Sequence, residues 1–218
     1  MEYIIANWKM NMDSQKIKAW FDVFNKADSA IFTDKTIVIA PSFPYLEETK
    51  EFIKTPNTFL GAQDVDLFEK GAHTGATGVF QIKEFCKYII VGHSERKETA
   101  EITLKKRDLC LENQIVPIVC FIEAHEATNM AVGNSIIVWE DPQNISVNGV
   151  YRAKNSAEID ETINKIKKNI PEHTLLVYGG SVNRDNIGDL AKNSNINGVL
   201  IGNASLDPQH FLYIIENA

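Results

Sequence analysis

Lys9, His93 and Glu140 are the side chains whose types and settings in this sequence point to chemistry. Each stands at or just past the end of a different short apolar run. The clearest case is Ile89-Ile90-Val91, which breaks at Gly92 and releases His93, Ser94, Glu95 and Arg96 in succession. A short apolar run is the mark of a fully buried strand, and one that ends this way delivers polar side chains to one edge of a sheet. Imidazole is the side chain most easily set near neutral pH as acid or base. A carboxylate such as Glu140 can abstract a proton, and an ammonium group and an imidazole can stabilise the oxyanion that forms. Taken singly these residues read more plainly. Lys9 is a solvated surface lysine, Glu140 a strand-end acid, and His93 a bystander beside a helix cap at Ser94. Their common placement at strand ends is what lifts them above that reading.

Eight apolar runs begin near Tyr3, Ile37, Phe59, Tyr88, Val116, Ile136, Leu175 and Val199. Most intervals between them have room for a helix and two loops. Strands alternating with helices mean βαβ units and a parallel sheet, and continuous rather than alternating apolar runs fit strands covered on both faces. The pattern predicts an α/β fold, a closed (β/α)8 barrel. Ser14 is placed as the N-cap of a helix carrying Ile17, Trp20, Phe21 and Phe24 on one face. Asn155 and Ser156 precede Ile159, Ile163 and Ile166, with Pro171 marking the end. Asn183 is set to cap a helix carrying Ile187, Leu190 and Ala191, and Asp207-Pro208 opens the last helix. Asn197-Gly198 lies between a helix and a strand and reads as their turn. The shortest interval, Val116 to Ile136, leaves space for only a stunted fifth helix over Ala124 to Met130.

The chain has 218 residues, 44% of them apolar, and a net charge of -7. That supports one sizeable core, and the absence of a Pro/Gly/Ser-rich linker predicts a single domain over 1–218. An acidic chain has no general pull on nucleic acid or an anionic membrane, so neither is expected as a partner. Cys86, Cys110 and Cys120 are scattered without metal-ligand spacing and read as reduced, buried thiols. Together with an N-terminus that lacks the form of a signal peptide, they predict a cytoplasmic protein. No metal triad, nucleotide-binding glycine loop or Schiff-base lysine stands out, so neither cofactor nor metal is expected.

In a parallel barrel every strand ends on one face, which carries the active site. The residues delivered there are Asn7 and Lys9, Gln63 and Asp64, His93 to Glu95, Glu123, Glu140, Gly179-Gly180-Ser181, and Gly202-Asn203. Glycine-rich turns ahead of helices expose backbone N–H groups that suit phosphate. The reading from residues alone is a barrel enzyme acting on a small phosphorylated molecule by proton abstraction.

Five segments carry a resemblance. Ala6-Asn7-Trp8-Lys9-Met10-Asn11, Leu60 to Gln63 with Gly71 to Gly75, Gly92-His93-Ser94-Glu95-Arg96, Tyr178 to Asn183, and Leu200 to Leu206 occur in this order at strand ends. With them the chain resembles the triosephosphate isomerase family over essentially its full length. The resemblance implies interconversion of dihydroxyacetone phosphate and glyceraldehyde 3-phosphate without a cofactor. It implies Glu140 as the base and a neutral His93 as the electrophile, a feature for which this family is itself the standard example. Lys9 and Asn7 would bind substrate and its developing oxyanion, and Glu95 would orient Lys9 or exchange protons. Ser181, Gly202 and Asn203 would hold the phosphate. Thr74 and Gly75 would form the tip of a loop inserted into a partner subunit, giving a homodimer. A shortened fifth helix is similar to compact members that form tetramers.

The sequence departs from the family after Glu140. Asp141 stands where proline is usual, Pro142 is displaced by one residue, the usual tryptophan is missing, and Ser146 replaces a tip glycine that contacts phosphate. Asn203 also stands in place of a usual glycine, and both substitutions keep the backbone donor. The altered loop leaves a second reading, a barrel that binds a phosphorylated ligand with weakened or lost turnover. A sugar-phosphate epimerase is a third, which the lysine–histidine–glutamate set argues against.

Overall fold

A computed structural model describes residues 1–141 and 156–218. Its strands are β1 (Tyr3–Asn7), β2 (Thr36–Ala40), β3 (Thr58–Ala62), β4 (Tyr88–Val91), β5 (Val116–Phe121), β6 (Ile136–Trp139), β7 (Leu175–Tyr178) and β8 (Gly198–Ile201). They pair in parallel in sequence order, and β8 returns to β1 to close the barrel. The helices are α1 (Ser14–Phe24), α2 (Leu46–Phe52), α3 (Val79–Ile82), α4 (Ala100–Glu112), α5 (Ala127–Met130), α6 (Ser156–Lys167), α7 (Ile187–Leu190) and α8 (Pro208–Asn217). The expected (β/α)8 barrel is what the chain forms, with β2, β3 and β8 each starting one residue earlier than the apolar pattern suggested.

Side chains alternate across each strand, and two cores result. Ile5, Val38, Tyr88, Ile90, Ile118, Cys120, Val138, Val177 and Leu200 fill the barrel interior. Their strand neighbours, such as Ile4, Ile37, Ile89, Val119, Ile137 and Leu176, pack outward beneath the helices. The alternation also aims the mouth. Asn7, two residues past Ile5, and Glu140, two past Val138, continue the inward-facing rows, as does Gly202 past Leu200.

The predicted apolar face of α1 is buried, and so are Ile159, Ile163 and Ile166 of α6. One cap differs from expectation. Asp13, not Ser14, caps α1: its carboxylate accepts from the Lys16 N–H at 2.9 Å, and its extended backbone lets the first turn begin at Ser14. The capping expected of Asn155 lies outside the described residues. Asn183 is also displaced: α7 begins after Asn186, while the Asn183 carbonyl accepts from the Ile187 N–H. Asp207 caps α8 with Pro208 in its first turn, as expected. The fifth helix is indeed stunted, a 3-10 turn over Ala124–Glu126 followed by four residues of α5, and α3 and α7 are equally short.

An aromatic cluster joins the two ends of the chain. Trp20 packs edge-on to Trp8 at 5.1 Å and stacks on Phe24 at 4.5 Å, and Phe24 stacks on Phe211 of α8 at 6.0 Å. Trp20 Nε1 donates to the Ser205 carbonyl at 3.0 Å, so the same cluster fixes the loop after β8. Closure of the barrel depends on Gly198, where an added Cβ would lie 2.1 Å from the Tyr3 carbonyl oxygen. Gly198→Ala is expected to destabilise the fold by about 1–3 kcal/mol, the usual cost of forcing bulk into a packed site. Urea unfolding would measure the loss, and an unchanged midpoint would contradict it.

Candidate active site

Lys9 follows β1 in the left-handed region, with φ of 50°. A residue with a Cβ is seldom found there unless its surroundings hold it. Three neighbours do so. The Asn7 side-chain oxygen accepts from the Lys9 N–H at 3.1 Å. Ser42 Oγ and Gln63 Nε2 donate to the Lys9 carbonyl at 2.8 and 2.9 Å. Gln63 also donates to the Ala40 carbonyl at 2.9 Å, tying β1, β2 and β3 together at the mouth. The Lys9 ammonium group is thereby aimed across the mouth, where it meets Glu95 Oε1 at 2.8 Å.

His93 caps the 3-10 turn Ser94–Arg96. Its Nδ1 accepts from the Glu95 N–H at 3.2 Å, so the ring proton of the neutral form belongs to Nε2. Nε2 faces Glu140 Oε2 at 3.6 Å, beyond ordinary hydrogen-bond length. Burial holds the imidazole below its ordinary value of 6.5, and Lys9 pushes the same way, while Glu140 and Glu95 pull against them. The result is a neutral ring presenting an N–H donor.

Glu140 is 2% exposed and held by Ser94. The Ser94 N–H donates to Oε1 at 2.8 Å, and the Ser94 hydroxyl donates to Oε2 at 2.6 Å. Cys120 lies beside it inside the barrel, its thiol pushed well above the ordinary range by burial first and by the Glu140 carboxylate second. Asp141 is fully buried next in the chain.

One cavity brings these groups together. Lys9, His93 and Glu140 line it together with Gly179, Gly180, Ser181, Gly202, Asn203 and Ala204. An added Cβ at Gly179 would meet Val138 at 2.7 Å, and one at Gly180 would meet the Tyr178 hydroxyl at 2.1 Å, so a side chain at either position would force a buried neighbour to move. The loop after β7 is braced by Asn186, whose amide donates to the Ser181 carbonyl at 2.7 Å. The loop after β8 is braced by Ser205, whose hydroxyl donates to the Gly202 carbonyl at 2.7 Å. The cavity therefore joins a proton acceptor, two donors and two glycine-rich turns.

Of the predicted residues, Lys9, His93, Glu140, Ser181, Gly202 and Asn203 border this cavity. Asn7 is buried beneath Lys9, and Asn7, Lys9, His93 and Glu95 line an adjoining groove. Thr74 and Gly75 are exposed on the loop between β3 and α3. Ser146 lies outside the described residues. Sequence reasoning passed over the anchoring role of Gln63, although its place after the third run marked it. It gave Ser42, Asn186 and Ser205 no part and read Cys120 only as core, because none of these carries a motif of its own. Among the described residues, no cluster of three or more His, Cys, Asp or Glu is arranged to hold a metal ion.

The triosephosphate isomerase family model matches residues 2–218. The chain belongs to the triosephosphate isomerase family. It is 32% identical to the triosephosphate isomerase of Buchnera aphidicola from Acyrthosiphon pisum, over 99% of this chain and 96% of that one. It is 30% identical to the enzyme of Polynucleobacter asymbioticus, over 98% of each chain, and 30% identical to that of Aquifex aeolicus, over 97% of each. The alignment with the Aquifex enzyme runs over 247 positions, against 218 residues here.

The depressed His93 pKa has a thermodynamic signature. Below pH 6.5 the unfolded chain takes up a proton at His93 that the folded chain refuses until its own lower pKa is reached. Folding stability is therefore lost as pH falls from 6.5 through that lower value. Urea unfolding from about pH 8 to about pH 5 should show the native chain losing more stability than His93→Gln. Equal losses would mean that His93 is not held neutral.

Proposed function

We propose that Glu140 is the base of the family's reaction and that His93 and Lys9 stabilise the charge it creates. The reaction interconverts dihydroxyacetone phosphate and glyceraldehyde 3-phosphate, an intramolecular oxidoreduction. Glu140 takes a proton from the carbon beside the carbonyl. The C–H electron pair becomes the C=C bond of an enediolate, and the carbonyl electrons move onto oxygen. The His93 Nε2–H and the Lys9 ammonium face that oxygen and lower the cost of its charge. The hydroxyl proton of the carbon that lost its proton passes to the first oxygen, and that carbon's own oxygen forms the new C=O. The C=C electron pair takes back the proton from Glu140 at the carbon that bore the original carbonyl. Ser181, Gly202 and Asn203 supply backbone N–H groups to the phosphate, a role to which Ser146, outside the described residues, also belongs. Asn7 acts on the oxyanion and, by anchoring Lys9, on its partner.

The observation that carries this reading is that Lys9, His93 and Glu140 line one cavity together with the glycine-rich turns after β7 and β8. A Cβ at Gly202 would lie 3.5 Å from Lys9 Cε and one at Gly179 3.5 Å from Glu140 Cγ, so the turns adjoin the base and the lysine. Glu140 must leave its two Ser94 hydrogen bonds to reach a bound carbon acid. Ser94 thus holds the base in a resting position that substrate must displace. No observation favours the reading in which turnover is lost.

The site requires the whole of 1–218 to act as a single barrel domain. A cytoplasmic location fits three free, buried cysteines, and among the described residues no helix is long and apolar enough to cross a membrane. A homodimer is supported by the β3–α3 loop. Its tip at Thr74 and Gly75 is exposed, Phe68 is 49% exposed and stacks on His73 at 3.6 Å, and Met10, 93% exposed, borders the groove that also holds Lys9 and Glu95. A partner's loop tip seated in that groove would cover this apolar surface.

Two measurements test the proposal. Glu140→Gln should lower kcat for glyceraldehyde 3-phosphate isomerisation by about 10²–10⁴-fold, the usual weight of a positioned base; near-native turnover would remove Glu140 from the role. Sedimentation equilibrium should give a mass of two 24.5 kDa chains, and Thr74→Glu should shift it toward one. A mass of four chains would replace the dimer with a tetramer, and insensitivity to Thr74→Glu would move the interface elsewhere.

A further inference from the structure

Behind the mouth lies a closed ring of four charges that the proposed chemistry does not use. Lys106 of α4 is 4% exposed. Its ammonium group reaches Asp64 Oδ1 at 2.7 Å and Glu98 Oε1 at 2.6 Å. Arg96 closes the ring, with Nη2 at 2.9 Å from Asp64 Oδ2 and Nε at 3.8 Å from Glu98 Oε1. Two cations and two anions cancel, so the ring carries no net charge into the interior. Three of its members are buried or nearly so, and the second oxygen of Glu98 is buried without a hydrogen bond among the described residues. Buried ionic groups of this kind are poor sources of stability, because desolvation offsets much of the attraction. Their use lies in geometry: a charge ring tolerates few arrangements.

The ring's members sit next in sequence to the residues that hold Lys9. Asp64 follows Gln63, which donates to the Lys9 carbonyl. Arg96 follows Glu95, which takes the Lys9 ammonium group. Lys9 is thus gripped at its backbone from the β3 loop and at its side chain from the β4 loop. The only charged contacts that join those two loops to each other, among the described residues, run through this ring.

We propose that Lys106, through Asp64, Arg96 and Glu98, is a positioning residue for Lys9. It locks the β3 and β4 loops in the one relative placement that holds the strained Lys9 backbone and aims its ammonium group at the cavity. The ring acts on binding through Lys9. Because Asp64 and Arg96 also line the groove proposed for the partner's loop, each variant is compared with the native chain at the same sedimentation mass. The proposal rests on the reading of Lys9 as a substrate-binding cation.

A double-mutant cycle tests it. The native chain, Asp64→Asn, Lys9→Met and the double variant are each titrated calorimetrically with glycerol 3-phosphate, an unreactive three-carbon phosphate, and assayed with glyceraldehyde 3-phosphate. Asp64→Asn keeps the side chain's shape and removes one ring charge. It should weaken glycerol 3-phosphate binding and raise KM by about tenfold, with a smaller change in kcat, as expected for a misplaced binding group. In the Lys9→Met background the same substitution should change binding by less than about twofold. Equal losses in both backgrounds would show a general structural role and overturn the proposal, as would no loss in the first. Should Asp64→Asn not fold, Arg96→Gln opens the ring from its half-exposed side and is read in the same way. A native chain that binds glycerol 3-phosphate without turning substrate over defeats the functional reading, while the binding cycle still decides the ring. A native chain that binds nothing overturns both.

Discussion

Parallel strands can form a barrel only if the last returns to hydrogen-bond with the first, and here that return is the contact between β8 and β1. Tyr3 to Ala6 lie in register with Gly198 to Ile201. The approach is close enough that only glycine fits at 198. Once that seam is made, every strand's carboxyl end faces the same way, and the inward rows of alternating side chains terminate in Asn7, Glu140 and Gly202. The seam also brings Gly202 against Lys9, since an added Cβ there would lie 3.5 Å from the lysine's Cε. Residues from opposite ends of the chain become walls of one cavity through backbone pairing rather than through any contact of their own.

The mouth is a case of a charged group being worth more for its placement than for its field. The chain as a whole is acidic, so nothing at long range gathers an anionic substrate. Any attraction must be local, and the proposed site supplies it through Lys9 and the turns after β7 and β8. Placement is costly, since Lys9 occupies a backbone region that disfavours its side chain. Asn7, Ser42 and Gln63 offset that cost with three hydrogen bonds to its backbone. Glu140 is restrained by its side chain instead, through the two hydrogen bonds from Ser94. His93 is set by a single accepted N–H, which decides the tautomer and so decides that the ring donates.

Much of this was legible in the sequence, and the reasons differ by element. Apolar runs located all eight strands because a sheet covered on both faces needs unbroken apolar side chains. The face of α1 was legible from the spacing of Ile17, Trp20, Phe21 and Phe24. Its cap was not, because Asp13 and Ser14 are both good caps and only the backbone angle chooses between them. The trio of Lys9, His93 and Glu140 could be placed because strand ends are fixed by strand positions. The residues that hold the trio in place could not. Ser42, Asn186 and Ser205 are ordinary polar residues in loops, and their roles exist only once distant loops are brought together. The ring around Lys106 was hidden for a related reason, since a lysine inside a helix reads as solvated until its partners are known.

The cavity at the barrel mouth carries a kinetic consequence. Ile5, Val38, Ile90, Ile118, Val138 and Leu200 pack the barrel's interior beneath the cavity. Ketose and aldose must occupy the same seat, each excluding the other. Net flux through such a site tracks the distance of the pair from equilibrium, and slows as the product accumulates without any separate regulatory site. A single shared seat thus makes the protein an equilibrator, driven in either direction by whichever partner the surrounding metabolism removes.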